Sequence, residues 1–209
     1  MIPEGHEGLI VAEKSVSVSN LINGATRLQP VVMQLGQAAG ALAALAASGD
    51  RGIREVGVRE VQSVLLDAGS YLMPYLDLPK EHMHFKALQR IGATGILRGE
   101  GRNVGWENQT WFRAEDPLLA QEIYPEGFYD GDLGLGQGFV SVGKLIEVVR
   151  GLGGGVPSDC GEWWESLGLE DFDLSRNATR LEAAVVIDAA FKPFDMCDVD
   201  YDGVPVPMR

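Results

Sequence analysis

The chain has 209 residues, of which 45% are hydrophobic and 22% are charged, and its formal net charge at pH 7 is -13. This composition is typical of a globular protein with enough length for one large or two small domains. It argues against nucleic-acid binding, because phosphate recognition requires clustered Lys and Arg rather than an excess of acidic residues.

One short apolar run lies near the amino terminus. Leu9–Ala12 follows Gly8 and has no polar side chain, which predicts a short buried strand, and Val16–Val18 is a weaker strand candidate. A buried strand needs neighbours on both sides, which the surrounding residues do not supply. We therefore expect a carboxy-terminal piece of a longer protein. No signal-peptide pattern is visible, and the compartment is left open.

A long helix of small residues is predicted over residues 30–48. Pro30 suits the first helical turn, and Gly49 is expected to relax a left-handed cap at its end. Gly36 and Gly40 lie four residues apart, so the helix backbone can approach a neighbour closely.

The same segment is the membrane candidate of the sequence. Its apolar span, residues 30–47, contains Gln34 and Gln37 and is rich in Ala rather than Leu. Because a spanning helix needs roughly 20 predominantly apolar residues, we expect no membrane span.

Further helices are predicted from apolar spacing and from capping residues. Residues 70–81 are expected to be a linker or ordered loop, and residues 93–115 a glycine-rich loop. The predicted helices are 58–68; 82–92, stopped by Gly92; a short one from Asp116-Pro117 to about Tyr124; one capped by Ser141; one from Asp159 to Leu167; and one from Thr179 to about Phe191. A loose repeat relates His84–Glu122 to Gly161–Ala189.

Several short motifs carry less specific chemistry. The glycine clusters lack the strand and the spacing of a dinucleotide fingerprint and are interpreted as turns. Asp198, Asp200 and Asp202 match half of a calcium loop; a weak calcium site and a solvated acidic tail are both open, the latter favoured. The pair His82 and His84 lacks further zinc ligands nearby. Cys160 and Cys197 are either paired or free.

An aromatic cluster lies in the loop before Asp116. Trp106, Trp111 and Phe112 stand beside amide and guanidinium side chains, which is compatible with a carbohydrate-facing patch. The favoured interpretation is that they cover a small core, because Trp and Phe bury large areas.

Residues 8–48, which include GLIVAEKSVSVSNLINGATRLQPVVMQLGQAAGALAALA, resemble the carboxy-terminal FAD-contacting segment of the FAD-dependent oxidoreductase family, whose flavin domain is of the glutathione-reductase type. Some members carry the label xanthan lyase, an activity that the flavin resemblance does not support. The resemblance implies that Glu13 approaches the ribityl chain and that the Gly24–Pro30 turn lies beside the isoalloxazine. The implied cofactor-binding residues are Glu13, Gly24, Ala25, Thr26, Arg27, Gln29, Pro30 and Val31.

The Rossmann unit of that family, which makes most FAD contacts, is absent from these residues. The resemblance thus implies that FAD belongs to the intact protein, that this chain alone binds none, and that its partner is the missing amino-terminal flavin domain.

The segment from about residue 80 to 193 resembles S-layer-homology modules. The resemblance rests on the Gly95–Gly101 turn, on Trp111-Phe112 ahead of Asp116-Pro117, and on Thr179-Arg-Leu-Glu-Ala183. It implies glycan contacts by Trp106, Trp111 and Arg180, and a polysaccharide as a partner.

The sequence therefore predicts a mainly α protein. Residues 1–50 are expected to be a flavin-domain remnant with a short strand and an Ala/Gly-rich helix, 51–80 a helix and linker, and 81–209 a helical domain with Gly-rich loops. The leading hypothesis is a non-catalytic fragment of an FAD-dependent oxidoreductase. The alternative is a helical glycan- or partner-binding module without redox activity.

Overall fold

The computed structural model describes residues 1–125, 127–129, 131–200 and 203–207. It divides into a first unit, Met1–Ser70, and a second unit, Tyr71–Arg209, which are described separately. Both are mainly helical, as predicted. The elements in chain order are α1 (Asn20–Thr26), α2 (Gln29–Ser48), α3 (Val58–Asp67), α4 (Phe85–Thr94), β1 (Glu100–Val104), β2 (Glu107–Trp111), α5 (Val142–Gly151), α6 (Cys160–Ser166), α7 (Arg180–Ala190), α8 (Pro193–Met196), β3 (Cys197–Val199) and β4 (Pro205–Pro207). The assignment of residues 1–50 and 51–80 to separate parts stays a prediction.

The first unit has a small apolar core at one end of α2. Leu42 and Ala46 of α2 are buried against Val56, and half-buried Ile10 and Val61 pack around them. The rest of α2 contributes little to the core, because among its first twelve residues only Val32 is buried. The unit therefore leaves much of its longest helix uncovered.

The predicted strand over Leu9–Ala12 is wrong for the described chain, as is the weaker candidate over Val16–Val18. Leu9–Ala12 forms no strand, and the main-chain bond that ties it down runs from the Val11 N–H to the Met1 carbonyl at 2.7 Å. An apolar run becomes a strand only when another strand pairs with it. No such strand lies in the described part of the first unit.

Helix α2 ends at Ser48 as predicted, but by a different cap. Gly49 has φ -89° and is right-handed, while Asp50 takes the left-handed conformation with φ 47°. By length and composition α2, with 20 residues, is long and apolar enough to cross a membrane. The absence of a membrane span stays a prediction.

The second unit is organised around three chain segments that hydrogen-bond to one another in a closed ring. The bonds form two rows, and within each row a segment donates to one neighbour and accepts from the other. The N–H groups of Leu118, Val140 and Ala178 donate to the carbonyls of Ala178, Leu118 and Val140 at 2.8, 2.9 and 2.9 Å. Two residues further on, the N–H groups of Ala120, Val142 and Arg180 donate to Gly138, Arg176 and Asp116 at 2.9, 2.9 and 3.0 Å. The three segments are thus related by an approximate threefold pattern.

Each ring segment leads into a helical turn, and at two of the three starts the N-cap side chain accepts a main-chain N–H. Ser141 accepts from the Lys144 N–H at 3.2 Å at the start of α5. Thr179 and Glu182 form the predicted capping box, with reciprocal bonds of 3.1 and 2.7 Å, at the start of α7. The helices α4, α5 and α7 then supply a large part of the core, including the fully buried Leu88, Ile91, Leu145 and Ile187.

Two expectations for the second unit are wrong. The loop 93–115 contains an antiparallel hairpin, in which β1 and β2 are joined through Gly105 and Trp106. The helix expected after Asp116 is only a short turn, Ala120–Glu122, because the residues before it pair in the ring instead. The cap of α4 also differs: Gly92 lies inside the helix, and Gly95, with φ 78°, ends it.

Gly92 is required by a buried tyrosine rather than by a helix end. A methyl group on Gly92 would collide with the hydroxyl of Tyr75, and one on Gly99 would lie 2.5 Å from the Tyr75 ring. The ring, 3% exposed, is therefore enclosed by two glycines.

We expect Gly92→Ala to destabilise the second unit by about 1–3 kcal/mol, the usual cost of overpacking. Tyr75→Phe in the same chain removes the colliding oxygen and should restore part of that loss. Chemical denaturation of the single and double variants measures both effects. Gly101→Ala is the control, since its added methyl group meets nothing within 4 Å; additive losses from the two substitutions would contradict the proposed clash.

The same tyrosine predicts a stability loss at high pH. Burial, the largest cause, raises the pKa of Tyr75 to about 12 from 10.0. Because the folded pKa lies above the unfolded one, the stabilisation is complete below pH 10 and is lost as the pH rises toward 12, by about 1.4 kcal/mol per pH unit. The unfolding free energy of the parent minus that of Tyr75→Phe should therefore decrease from about pH 9 to about pH 12; a constant difference would contradict the assignment.

Candidate flavin-facing corner and the core arginine

The junction of α1 and α2 brings together all of the predicted cofactor-binding residues except Glu13. Gly24, Ala25 and Thr26 form the last turn of α1, where the sequence predicted a non-helical turn. Arg27 is the C-cap of α1, and Leu28, in an extended conformation, is the N-cap of α2. We call residues 24–31 the corner.

The corner is open to solvent and has no internal partner for its charge. Only Thr26 and Val31 of the corner are half-buried, and the others are exposed. Within the described chain, the guanidinium of Arg27 makes no ion pair or side-chain hydrogen bond. Large apolar side chains around the corner are also exposed: Leu21 by 87%, Ile22 by 51%, Leu28 by 55% and Met33 by 73%. A cluster of this kind is typical of a surface that another chain segment covers.

The glycines of this region are not explained by packing inside the unit. A methyl group built on Gly24, Gly36 or Gly40 would meet nothing within 4 Å. All three are exposed, and Gly36 and Gly40 share a face of α2 with Ala43 and Ala47. Their backbone is thus open to close approach from outside.

The electrostatics of the corner favour a negatively charged or carbonyl group. Leu28 provides no side-chain cap for α2, so the first amide groups lack a side-chain acceptor. These amides, the positive end of the helix dipole and the Arg27 guanidinium all lie at one end of α2. Glu13 lies outside the corner, exposed in a 3-10 turn with φ 63° that packs against α2.

Comparison with protein families gives the corner a context. Residues 1–65 match the family model described as FAD dependent oxidoreductase. This range includes α1, α2 and most of α3 and is longer than the resemblance noted in the sequence. No curated protein matches the chain. No solved structure matches it either.

The residues that match this family model lie within the first unit, and the residues predicted for glycan binding lie in the second. Trp106 is fully exposed at the tip of the β1–β2 hairpin. Trp111 is half-buried, and its indole N–H donates to Gln109 at 3.1 Å. The core interpretation of the aromatic cluster is correct for Phe112, which is 0% exposed, and wrong for Trp106.

Arg180 is a buried structural residue, 3% exposed. Its guanidinium donates to the carbonyls of Phe112 at 2.8 Å and Arg98 at 2.7 Å, and pairs with Glu122 at 2.8 Å. It also lies 5.1 Å from the centroid of the Phe112 ring. This burial and these contacts give the Arg180 guanidinium a structural role, and its contact with glycan stays a prediction. The sequence could not reveal these partners, which are distant along the chain.

Among the described residues no group of three or more His, Cys, Asp or Glu side chains could hold a metal ion, and the weak calcium site stays a prediction. Asp198 and Asp200 accept main-chain N–H groups of Val199 and Val204, each at 2.8 Å, which shapes the turn between β3 and β4. Asp202, the third predicted ligand, lies outside the described residues. The ring centroids of His82 and His84 lie 5.6 Å apart with the rings tilted by 51°, and burial lowers the pKa of His84. Cys160 and Cys197 form no disulfide with each other.

We expect Arg180→Ala to destabilise the protein by about 2–4 kcal/mol, because two carbonyls and one carboxylate lose a shared donor. Thermal or denaturant unfolding measures the loss. Arg27→Ala is the matched control, expected to change stability by less than about 0.5 kcal/mol because Arg27 is exposed and unpartnered. Equal losses from the two substitutions would contradict the structural assignment of Arg180.

Proposed function

We propose that the corner forms one wall of an FAD site and that the protein acts as part of an FAD-dependent oxidoreductase. The observation that carries the proposal is the uncovered, cationic start of α2 within residues that match the FAD dependent oxidoreductase family. The exposed glycines and apolar side chains around it support the same interpretation, because they provide a surface for a neighbour that the first unit does not contain.

The residues have separate roles in this proposal. Arg27 and the first amides of α2 would face an electron-rich edge of the isoalloxazine, where negative charge develops on reduction. Gly24 would allow the ring to approach the main chain. Ala25, Thr26, Gln29, Pro30 and Val31 would shape the same wall, and Glu13 would contact the ribityl chain. Hydride or electron transfer is the chemistry of FAD itself when it is bound.

The corner is exposed on one side, so it can supply only part of a cofactor site. A small-molecule site buries most of its ligand between opposing walls. We propose that the opposing wall, with the phosphate-binding unit, lies in a flavin domain amino-terminal to residue 1. On this proposal residues 1–209 alone bind no FAD and are inactive.

The test compares FAD binding by residues 1–209 with binding by a chain extended to include that flavin domain. We expect the extended chain to copurify with flavin absorbance and the short chain to be colourless. Arg27→Ala and Gly24→Val in the extended chain should each weaken FAD binding at least about tenfold, a loss of about 1.4 kcal/mol.

Arg150→Ala and Gly101→Val are matched controls, since both residues are exposed in the second unit. They should leave FAD binding unchanged. An extended chain that folds but binds no FAD would refute the proposal, as would corner variants that bind FAD as tightly as the controls.

A second candidate function concerns the second unit alone. We propose that it is a helical glycan- or partner-binding module of S-layer-homology type. Its support is the ring of three segments, each of which leads into a helical turn, because a threefold arrangement of similar pieces is what a repeated module produces. The exposed Trp106 and half-buried Trp111 supply aromatic surface.

A further inference from the structure

A cleft of about 450 Å³ opens at the base of the β1–β2 hairpin in the second unit. Its size falls within the range of small-molecule sites. The side chains that line it include one indole, one imidazole, two guanidinium groups and three carboxylates, among them Trp111, His82, Arg102, Arg113 and Asp116. This cleft is separate in sequence from the corner of the first unit.

The main chain along one side of the cleft is held in an unfavourable conformation. Arg113 has φ 59°, in the left-handed region, which costs a non-glycine residue roughly 1 kcal/mol or more. The carboxylate of Asp77 stabilises it by accepting the N–H groups of Phe112 at 2.8 Å and Arg113 at 2.6 Å. Because Phe112 is fully buried beneath this turn, the position of Arg113 is fixed by the core.

The charges beside the cleft alternate in sign. Arg102 and Arg113 both pair with Glu100, at 2.7 and 2.6 Å, and Arg113 also reaches Asp116 at 3.2 Å. All four side chains remain one-third to one-half exposed. A guanidinium has five N–H donors and a carboxylate about four acceptor sites, so these pairs leave both donors and acceptors available.

Trp111 adds an apolar surface that is already oriented. Its indole N–H is bound to the Gln109 side chain at 3.1 Å, and the residue is half-buried. Less rotamer freedom is therefore lost when a ligand covers the ring. On the imidazole of His82, Nδ1 accepts the His84 N–H at 3.1 Å, which leaves Nε2 for another contact.

The chemistry of the ligand follows from this combination. A strong anion would be repelled by the carboxylates of Asp77, Glu115 and Asp116 in the cleft lining, and the chain as a whole carries a formal net charge of -13. A strong cation would be repelled by the two guanidinium groups. A neutral sugar has hydroxyl groups that bond to both kinds of group and an apolar C–H face that can lie on the indole.

We propose that this cleft binds a neutral oligosaccharide, with Trp111 as the stacking surface and Arg102, Arg113 and Asp116 as hydroxyl partners. The proposal rests on the second candidate function, for which it names the site and the ligand class. It does not depend on the flavin proposal.

The test is calorimetric titration of the full chain with neutral tetrasaccharides, cellotetraose and maltotetraose, and with tetragalacturonate as the acidic comparison. We expect at least one neutral sugar to bind with a dissociation constant of about 0.1–1 mM, and tetragalacturonate at least about tenfold more weakly. Trp111→Ala should weaken neutral binding more than about tenfold.

Two further variants separate a local effect from misfolding. Arg102→Gln, on an exposed strand, should weaken binding about threefold to tenfold without affecting the core. Trp106→Ala, at the hairpin tip and outside the cleft lining, should leave affinity within about twofold. Circular dichroism establishes that each variant is folded.

The outcomes distinguish the proposal from the function on which it rests. Binding that survives both Trp111→Ala and Arg102→Gln overturns the cleft but keeps a glycan-binding module. Tighter binding of tetragalacturonate overturns the neutral ligand class. No saturable binding of any neutral sugar up to ~10 mM overturns the proposal, and a partner-binding role is then what remains of the second candidate.

Discussion

The closed ring of main-chain hydrogen bonds is the interaction on which the second unit depends. Leu118, Val140 and Ala178 each satisfy their polar groups through the other two segments, and each is almost completely buried. Buried amide and carbonyl groups are costly when they lack a hydrogen-bond partner. If one segment left the ring, main-chain groups of both other segments would become unpaired. The helices that follow the ring segments then pack into a common core. Long loops between the segments are tolerated because lengthening a loop adds little entropic cost.

The first unit has no comparable closure. Its buried residues gather at the carboxyl end of α2, whereas the amino-terminal half of this helix and the corner face solvent. A helix gains most of its stability from burying an apolar face rather than from intrinsic propensity. The contrast between the units therefore has one physical cause: the second unit pairs its own surfaces, whereas the first leaves glycine and apolar surface uncovered within the unit.

Local signals were enough to predict most helices. Ser141, Asp159 and Thr179 all cap helices as expected, because a cap involves residues only three positions apart. The sequence does not predict the hairpin, because closely spaced glycines such as Gly99, Gly101 and Gly105 are typical of a loop. Gly105 in a two-residue connection is nevertheless a usable hairpin signal. Asp116-Pro117 has the pattern of a helix start, but the residues after it pair with distant segments.

The candidate sites show the same limit. The family resemblance predicts the corner, whereas nothing in the residue spacing indicates that Gly24 and Gly36 lack neighbours within the first unit. The role of Arg180 could not be predicted, because its acceptors, the carbonyls of Phe112 and Arg98, come from far along the chain. Likewise the cleft beside Trp111 requires Asp77 to hold a turn more than thirty positions away.

The empty space above Gly24, Gly36 and Gly40 has an evolutionary consequence. Since no atom of the first unit is near these positions, folding of the unit itself does not select against a side chain there. Glycine within a helix is even unfavourable relative to alanine, so drift should remove it. In a lineage where nothing covered this face, these glycines would be replaced early. If relatives retain these glycines, that would indicate a closely packed neighbour at this face, even without a structure of the neighbour.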